Sequence, residues 1–315
     1  MIVTLTPNPS IDRTVHVARL ERGDLNRVSA GTSEAAGKGL NVSRALRVHG
    51  VETTAVLPLA AETATAYLTL LDDAVPITPV PIAGSMRTNL TIAEPDGTIT
   101  KVNEPGPPLA EADADALIAV VDAIPCEWIV GCGSLPPSAP ADLYARLARL
   151  ASPTRRIAVD TSGDALRAAA AAGPDLLKPN LAELEELAGR RVATLGDVVT
   201  AARGLISRGV RAVLVSLGAD GAVYVDRHRV ARAVARVGDV ANTVGAGDAL
   251  LAGYLAAGGG PGALRAAVAW SVAAVRSTTT WTRRVRDEDL AAVFVDTEID
   301  ASRLLGCAPA GARTK

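Results

Sequence analysis

From about residue 106 onward, short β-rich apolar runs alternate with longer alanine- and leucine-rich stretches of helical period. That order is the sequence form of a mostly parallel sheet with helices on both faces, an α/β fold of three layers. Strand candidates are Trp128–Val130, Ile157–Asp160, Leu176–Lys178 and Ala212–Ser216. The first three lead into small or polar residues and then a helical pattern: Gly131 to Pro137, Thr161-Ser162-Gly163, and Pro179-Asn180. The fourth runs into a turn, Leu217-Gly218-Ala219-Asp220-Gly221. In open α/β sheets ligands bind beyond the carboxyl ends of the strands, so these turns are the expected address of a site.

Two stretches break the rhythm. Residues 11–35 are mixed, and 85–105 read as a hairpin around Glu94-Pro95-Asp96-Gly97. In its first arm Thr88, Leu90 and Ile92 share one face, while Arg87, Asn89 and Thr91 share the other. A lone hairpin is marginal, so it is expected to pair with strands from 11–35 and form a small β-sheet lid. The lid is inserted in a single domain spanning residues 1–315, since this length suffices for one large α/β domain.

Composition removes several classes of function. Lys+Arg 32 against Asp+Glu 34 and only eight aromatics (Trp 3, Tyr 4, Phe 1) leave neither the basic patch nor the stacking platform of a nucleic-acid binder. No apolar run approaches the 18 or so residues of a membrane span, and Met1-Ile2-Val3-Thr4-Leu5 enters a strand pattern without the basic start of a signal peptide. Cys126 and Cys132 are expected in one strand roughly 20 Å apart, too far to bridge. With three cysteines in all, the set fits a reducing compartment, and the protein is expected in the cytoplasm without membrane or nucleic-acid partners.

The sharpest local feature is Thr243-Val244-Gly245-Ala246-Gly247-Asp248, running into an apolar helical pattern. Glycines turning into a helix expose backbone N–H groups at the positive end of the dipole, an anion hole for phosphate. Asp248 either takes a proton from an attacking hydroxyl or caps the helix. A second glycine entry, Gly37-Lys38-Gly39, fits neither a P-loop nor a dinucleotide fingerprint, and places N–H groups and an ammonium near a polyhydroxy ligand. The chain has just four lysines, Lys38, Lys101, Lys178 and Lys315, and two of them fall in such turns. Asn180-Leu181-Ala182-Glu183 reads as a capping box and, in the same place, as a contact to hydrated magnesium. Arg87 is a solvated lid arginine or a fork for phosphate, and Asp12, after the first strand, a turn-forming Asx residue or an acceptor for sugar hydroxyls.

Taken in order, Asn8-Pro9-Ser10-Ile11-Asp12, Gly37-Lys38-Gly39 with Asn41, Arg87-Thr88-Asn89, Gly133-Ser134-Leu135-Pro136-Pro137, Val159 to Gly163, Leu177-Lys178-Pro179-Asn180 with Glu183, Val215 to Gly218, and Thr243 to Asp248 resemble the ribokinase-like (PfkB) sugar kinase family over residues 2–280. The resemblance implies a ribokinase-like three-layer α/β/α domain with a β-lid, ATP with magnesium, a monovalent cation as a further candidate, and a homodimer through the lids. By position, Asp248 matches the catalytic base, and Gly245, Ala246 and Gly247 the anion hole. Asp12, Gly37, Lys38, Gly39, Asn41, Arg87, Asn103 and Ser134 match sugar-phosphate positions. Lys178, Asn180, Ser216 and Gly218 match ATP positions, and Asn180 with Glu183 the magnesium side, through water. Two places depart from the family's pattern, Ala60-Ala61-Glu62-Thr63-Ala64 in place of a glycine-containing segment and Ala249 after Asp248. The expected acceptor is a ketose phosphate, foremost fructose 1-phosphate; tagatose 6-phosphate, fructose 6-phosphate and a non-catalytic sensor of sugar phosphate or nucleotide stand as alternatives.

Overall fold

The computed structural model describes residues 1–71, 75–235, 244–277 and 283–306. Their strands are β1 (Ile2–Leu5), β2 (Ser10–His16), β3 (Ala30–Ala36), β4 (Thr53–Ala60), β5 (Ile77–Ile82), β6 (Arg87–Ala93), β7 (Ile99–Asn103), β8 (Trp128–Cys132), β9 (Arg156–Asp160), β10 (Leu176–Leu177), β11 (Ala212–Ser216), β12 (Ala222–Asp226), β13 (Val230–Ala235) and β14 (Val293–Asp296). The helices are α1 (Lys38–Val48), α2 (Ala64–Leu70), α3 (Glu111–Ala123), α4 (Leu143–Ala148), α5 (Gly163–Ala172), α6 (Leu181–Ala188), α7 (Leu195–Ile206), α8 (Ala246–Ala256), α9 (Leu264–Val275) and α10 (Asp287–Ala291).

Runs such as Ile2–Leu5 and Trp128–Cys132 are buried at every residue, so both of their faces need cover. The pleat divides them. Val3 and Leu5 pack into a core with Leu117 and Val121 of α3, Leu147 of α4 and Leu205 of α7. Ile2 and Val130 point the other way, into a core with Leu46 of α1, Leu251 of α8 and Trp270 of α9. Each such side chain contributes about 1.5–3 kcal/mol on burial, which makes these two aliphatic layers the main stabilising term.

The large sheet runs β5-β4-β1-β8-β9-β10-β11-β12-β13-β14. It is parallel from β5 through β11 and antiparallel from β11 to β14. A second sheet, β3-β2-β6-β7, lies apart from it, with β2 and β6 parallel and the outer pairs antiparallel.

Three sequence expectations change in detail. Asp12 lies inside β2, paired with Glu34 and Asn89, so the Asx-turn reading is overturned; the cross-strand ladder decides its backbone. Cys126 precedes β8 rather than sharing a strand with Cys132, though both are unbridged. The strand at Leu176 ends at Leu177, leaving Lys178 in the turn beyond it.

Candidate active site

Helix α8 is buried from Asp248 through Leu255 because it is packed between α1 and α9. An apolar helix of this kind carries its first turn into the interior, and Asp248 with it, 7 % exposed. Gly245, at φ +78°, is the N-cap residue, and no side chain caps the helix, so Asp248 has no capping role. Its Oδ2 instead accepts from Asn41 Nδ2 at 3.0 Å. Burial, and after it the charge of Asp160, push Asp248 up to about 6, against the pull of Lys38, the Asn41 bond and Lys178. The amides of the first turn have no partner within the helix, which leaves Ala246 and Gly247 free to face an anion. Thr243, the first residue of this motif, lies outside the described residues.

Gly39 sets how closely α1 meets β1: a Cβ there would come within 2.5 Å of Thr6 Oγ1 and 3.2 Å of the Leu5 carbonyl. The approach carries Lys38 and Asn41 over the strand ends. Lys38 Nζ then meets Asp160 Oδ1 at 3.1 Å, and Lys178 Nζ meets Asp160 Oδ2 at 2.9 Å. Asp160 ends β9 and is 1 % exposed. Burial alone would raise its pKa, but the two ammonium groups outweigh burial and hold it below the usual carboxylate range. Asp160 in turn holds Lys38 above the ordinary lysine value, with Asp248 and Glu183 adding to the effect. Lys178 Nζ also lies 3.6 Å from the point a Cβ on Gly247 would take, so the ammonium sits against the Gly245–Gly247 turn. The sequence placed Lys38 and Lys178 on different ligands; one carboxylate joins them. Asp160 was not singled out as a site residue, and its signal was a lone acid closing an apolar strand between two of only four lysines.

The polar face of the second sheet forms a row: Glu34, Asp12, Asn89 and Asn103 are mutual partners across four strands, and Ser10 pairs with Arg87 beside them. Asp12 Oδ1 accepts from Ser10 Oγ at 2.7 Å and Asn89 Nδ2 at 2.9 Å. Burial lowers the Arg87 pKa, and Asp12 draws it back. Arg87 Nη1 donates to the Glu104 carbonyl at 3.4 Å. The departing segment at residues 60–64 supports the entry to this strand, since Thr63 Oγ1 accepts from Met86 N at 2.7 Å and Glu62 from Ser85 Oγ at 2.6 Å.

At the start of α6, Asn180 and Glu183 form a complete capping box: Asn180 Oδ1 accepts from Glu183 N at 2.9 Å, and Glu183 Oε2 from Asn180 N at 2.8 Å. Ser216 ends β11 and donates its N–H to Pro179 O at 3.1 Å, which sets it beside Asn180, and Gly218 opens the turn that follows. Ser134 is exposed on the loop after β8, whose Gly133 carbonyl accepts from Tyr144 and Thr161 hydroxyls at 2.7 and 2.8 Å. Among the described residues no cluster of three or more His, Cys, Asp or Glu could hold a metal. The donor set, with Glu183 near Lys38, fits magnesium that keeps its waters and is held mainly by phosphate oxygens. The strand ends thus gather Lys38, Asn41, Asp160, Lys178, Glu183 and Asp248, while Asp12, Arg87 and Asn103 belong to the second sheet.

Residues 5–282 match the family described as pfkB family carbohydrate kinase. A 1-phosphofructokinase from Rhodobacter capsulatus is 41% identical over 266 residues, 81% of this chain and 82% of that protein. One from Haloferax volcanii is 38% identical, covering 82% of this chain and 84% of its own length. Among solved structures, phosphofructokinase-2 from Escherichia coli in complex with potassium superposes with a TM-score of 0.85 at 32% identity, covering 92% of this chain and 96% of that one.

Proposed function

We infer the reaction from the family: this chain belongs to the pfkB family of carbohydrate kinases. It is an ATP-dependent sugar-phosphate kinase, and its acceptor is fructose 1-phosphate, which becomes fructose 1,6-bisphosphate. The observation that carries this reading is Asp248, buried and hydrogen-bonded by Asn41 at the start of α8, beside two lysines held by Asp160.

The acceptor's free primary hydroxyl attacks the γ-phosphorus of ATP in line, so that its new bond to phosphorus forms as the bond to the β-phosphate oxygen breaks and ADP leaves. Asp248 takes its proton, and Asn41 keeps the carboxylate turned toward the reacting group. The Gly245 to Gly247 amides and Lys178 face the charge that builds on the transferring phosphoryl group. Lys38, tethered with Lys178 to Asp160, spans the acceptor and donor sides. Glu183 and Asn180 would hold magnesium through water, and the ion would supply further charge neutralisation. Ser216 and Gly218 line the nucleotide side; Asp12 and Asn103, with Ser134, line the sugar side.

Arg87 reads the phosphate already on the sugar. Charge-assisted contacts of this kind are worth about 1.5–3 kcal/mol each, so Arg87→Ala should lower kcat/KM for fructose 1-phosphate at least about tenfold and leave KM for ATP within a few-fold. Residual activity on unphosphorylated fructose should not change. Equal losses on both acceptors would mean that Arg87 orders the lid and does not read the phosphate.

The second sheet serves as the lid of this site and as the surface of a homodimer. Leu25, Val28, Ile99 and Val102, in that sheet and its connection, are 68%, 53%, 60% and 54% exposed, more apolar surface than a lid of this size would leave to water. Light scattering of the purified protein measures the mass, and a monomer at micromolar concentration would contradict the dimer. No helix among the described residues is long and apolar enough to cross a membrane; the reaction is assigned to the cytoplasm on the small cysteine set of three.

A further inference from the structure

Where the second sheet meets the large one, three buried polar atoms have no hydrogen-bond partner among the described residues: Asn8 Oδ1, Arg87 Nε and Asn89 Oδ1. Asn8 follows β1 and is 5 % exposed. Its Nδ2 donates to Pro105 O at 3.1 Å, which fixes the amide so that Oδ1 faces away from that carbonyl. Gly106 passes between Asn8 and Arg87 at φ +95°. A Cβ on Gly106 would collide with Asn8 Oδ1 and lie 3.4 Å from Arg87 Cδ. A single point therefore touches both side chains, one carrying a buried acceptor and the other a buried donor, each without a partner. Buried groups left in that state are costly, and a bond between these two would satisfy both. Asn89 is the other acceptor nearby, but Gly106 packs against Asn8 and Arg87.

We propose that Asn8 is a positioning residue for phosphate recognition, its Oδ1 accepting the Arg87 Nε–H when the guanidinium engages the acceptor's phosphate. Arg87 Nη1 already donates to the Glu104 carbonyl. With Nε held by Asn8 and Nη1 by Glu104, the planar fork is fixed at two points and its Nη2 edge is presented to the ligand. A side chain at Gly106, besides being strained at φ +95°, would occupy the space beside Asn8 Oδ1 that this bond needs. The inference rests on the reading of Arg87 as the phosphate ligand, which the comparison of fructose 1-phosphate with fructose judges separately.

The test is a double-mutant cycle on kcat/KM for fructose 1-phosphate with wild type, Asn8→Ala, Arg87→Ala and the double variant. Asn8→Ala should cost about tenfold when Arg87 is present and less than about twofold when it is absent, because the bond it removes is then already gone. Equal losses in the two backgrounds, or no loss in either, overturn the proposal. Asn8→Asp keeps the acceptor and loses the donor to Pro105, so it should retain most of the activity that alanine loses. An aspartate variant as impaired as the alanine one would show that Asn8 serves the Pro105 tie, and would overturn the proposal even if Asn8→Ala failed to fold.

Discussion

An aspartate 7 % exposed at the start of a helix buried along its length is ionised at a cost to the fold. Asp248 is raised from 3.8 to about 6, and a shift of that size corresponds to about 3 kcal/mol borne by the folded state wherever the group is charged. The sign follows from the folded value lying above the unfolded one. The cost is full above pH 6, shrinks as pH falls from 6 toward 3.8, and is gone below that. Asp248→Asn, which keeps the shape and an acceptor for Asn41, should therefore lower kcat about 10²–10⁴-fold while unfolding at a higher temperature than wild type at pH 7.5. Melting curves and initial rates on the same preparations check both halves; near-wild-type turnover would remove Asp248 as the base. In the wild type, kcat/KM should fall as pH drops through about 6, since only the carboxylate takes the proton. Asp248 was legible in the sequence because its motif is local. Asp160 was less so, since its role is created by two lysines that lie 122 and 18 residues away along the chain (160 − 38 and 178 − 160) and meet only in the fold.

At the scale of elements, α6 begins with a cap whose two reciprocal bonds explain Asn180 and Glu183 without any ligand. Glutamine serves at the same position of a capping box, so Glu183→Gln should leave stability nearly unchanged. If Glu183 also acts on magnesium, the variant should need several-fold more magnesium for half-maximal rate, and superimposable magnesium titrations would leave only the cap. The hairpin of β6 and β7 was readable from its turn and alternation, and its need for partners led to strands within 11–35, where β2 and β3 lie, but their bounds and pairing were not readable. β3, Ala30–Ala36, has the sequence AGTSEAA and is exposed over its first four residues, so no apolar period marks it. It is a strand because β2 offers a ladder from Ser10 to His16, and β2 pairs with β6 some 77 residues further on. Non-local pairing of this kind leaves little trace in local composition.

Across the whole molecule, the alternation after residue 106 was enough to expect a parallel sheet, and the carboxyl ends of β8, β9, β10 and β11 are where Ser134, Asp160, Lys178 and Ser216 gather. The order of the strands was not readable: β1 sits inside the sheet, between β4 and β8, and this places α1 with Lys38 and Asn41 above the strand ends that carry Asp160 and Lys178. What converts this architecture into a particular enzyme is the acceptor, and the proposed function assigns its reading to residues of the second sheet. The direct measurement is ADP release by the purified protein with ATP, magnesium and, in parallel, fructose 1-phosphate, fructose 6-phosphate, tagatose 6-phosphate and fructose. The account predicts the highest kcat/KM for fructose 1-phosphate, with a product carrying phosphate at both ends of the sugar; a higher value for another acceptor, or no ADP release with any of them, would contradict it.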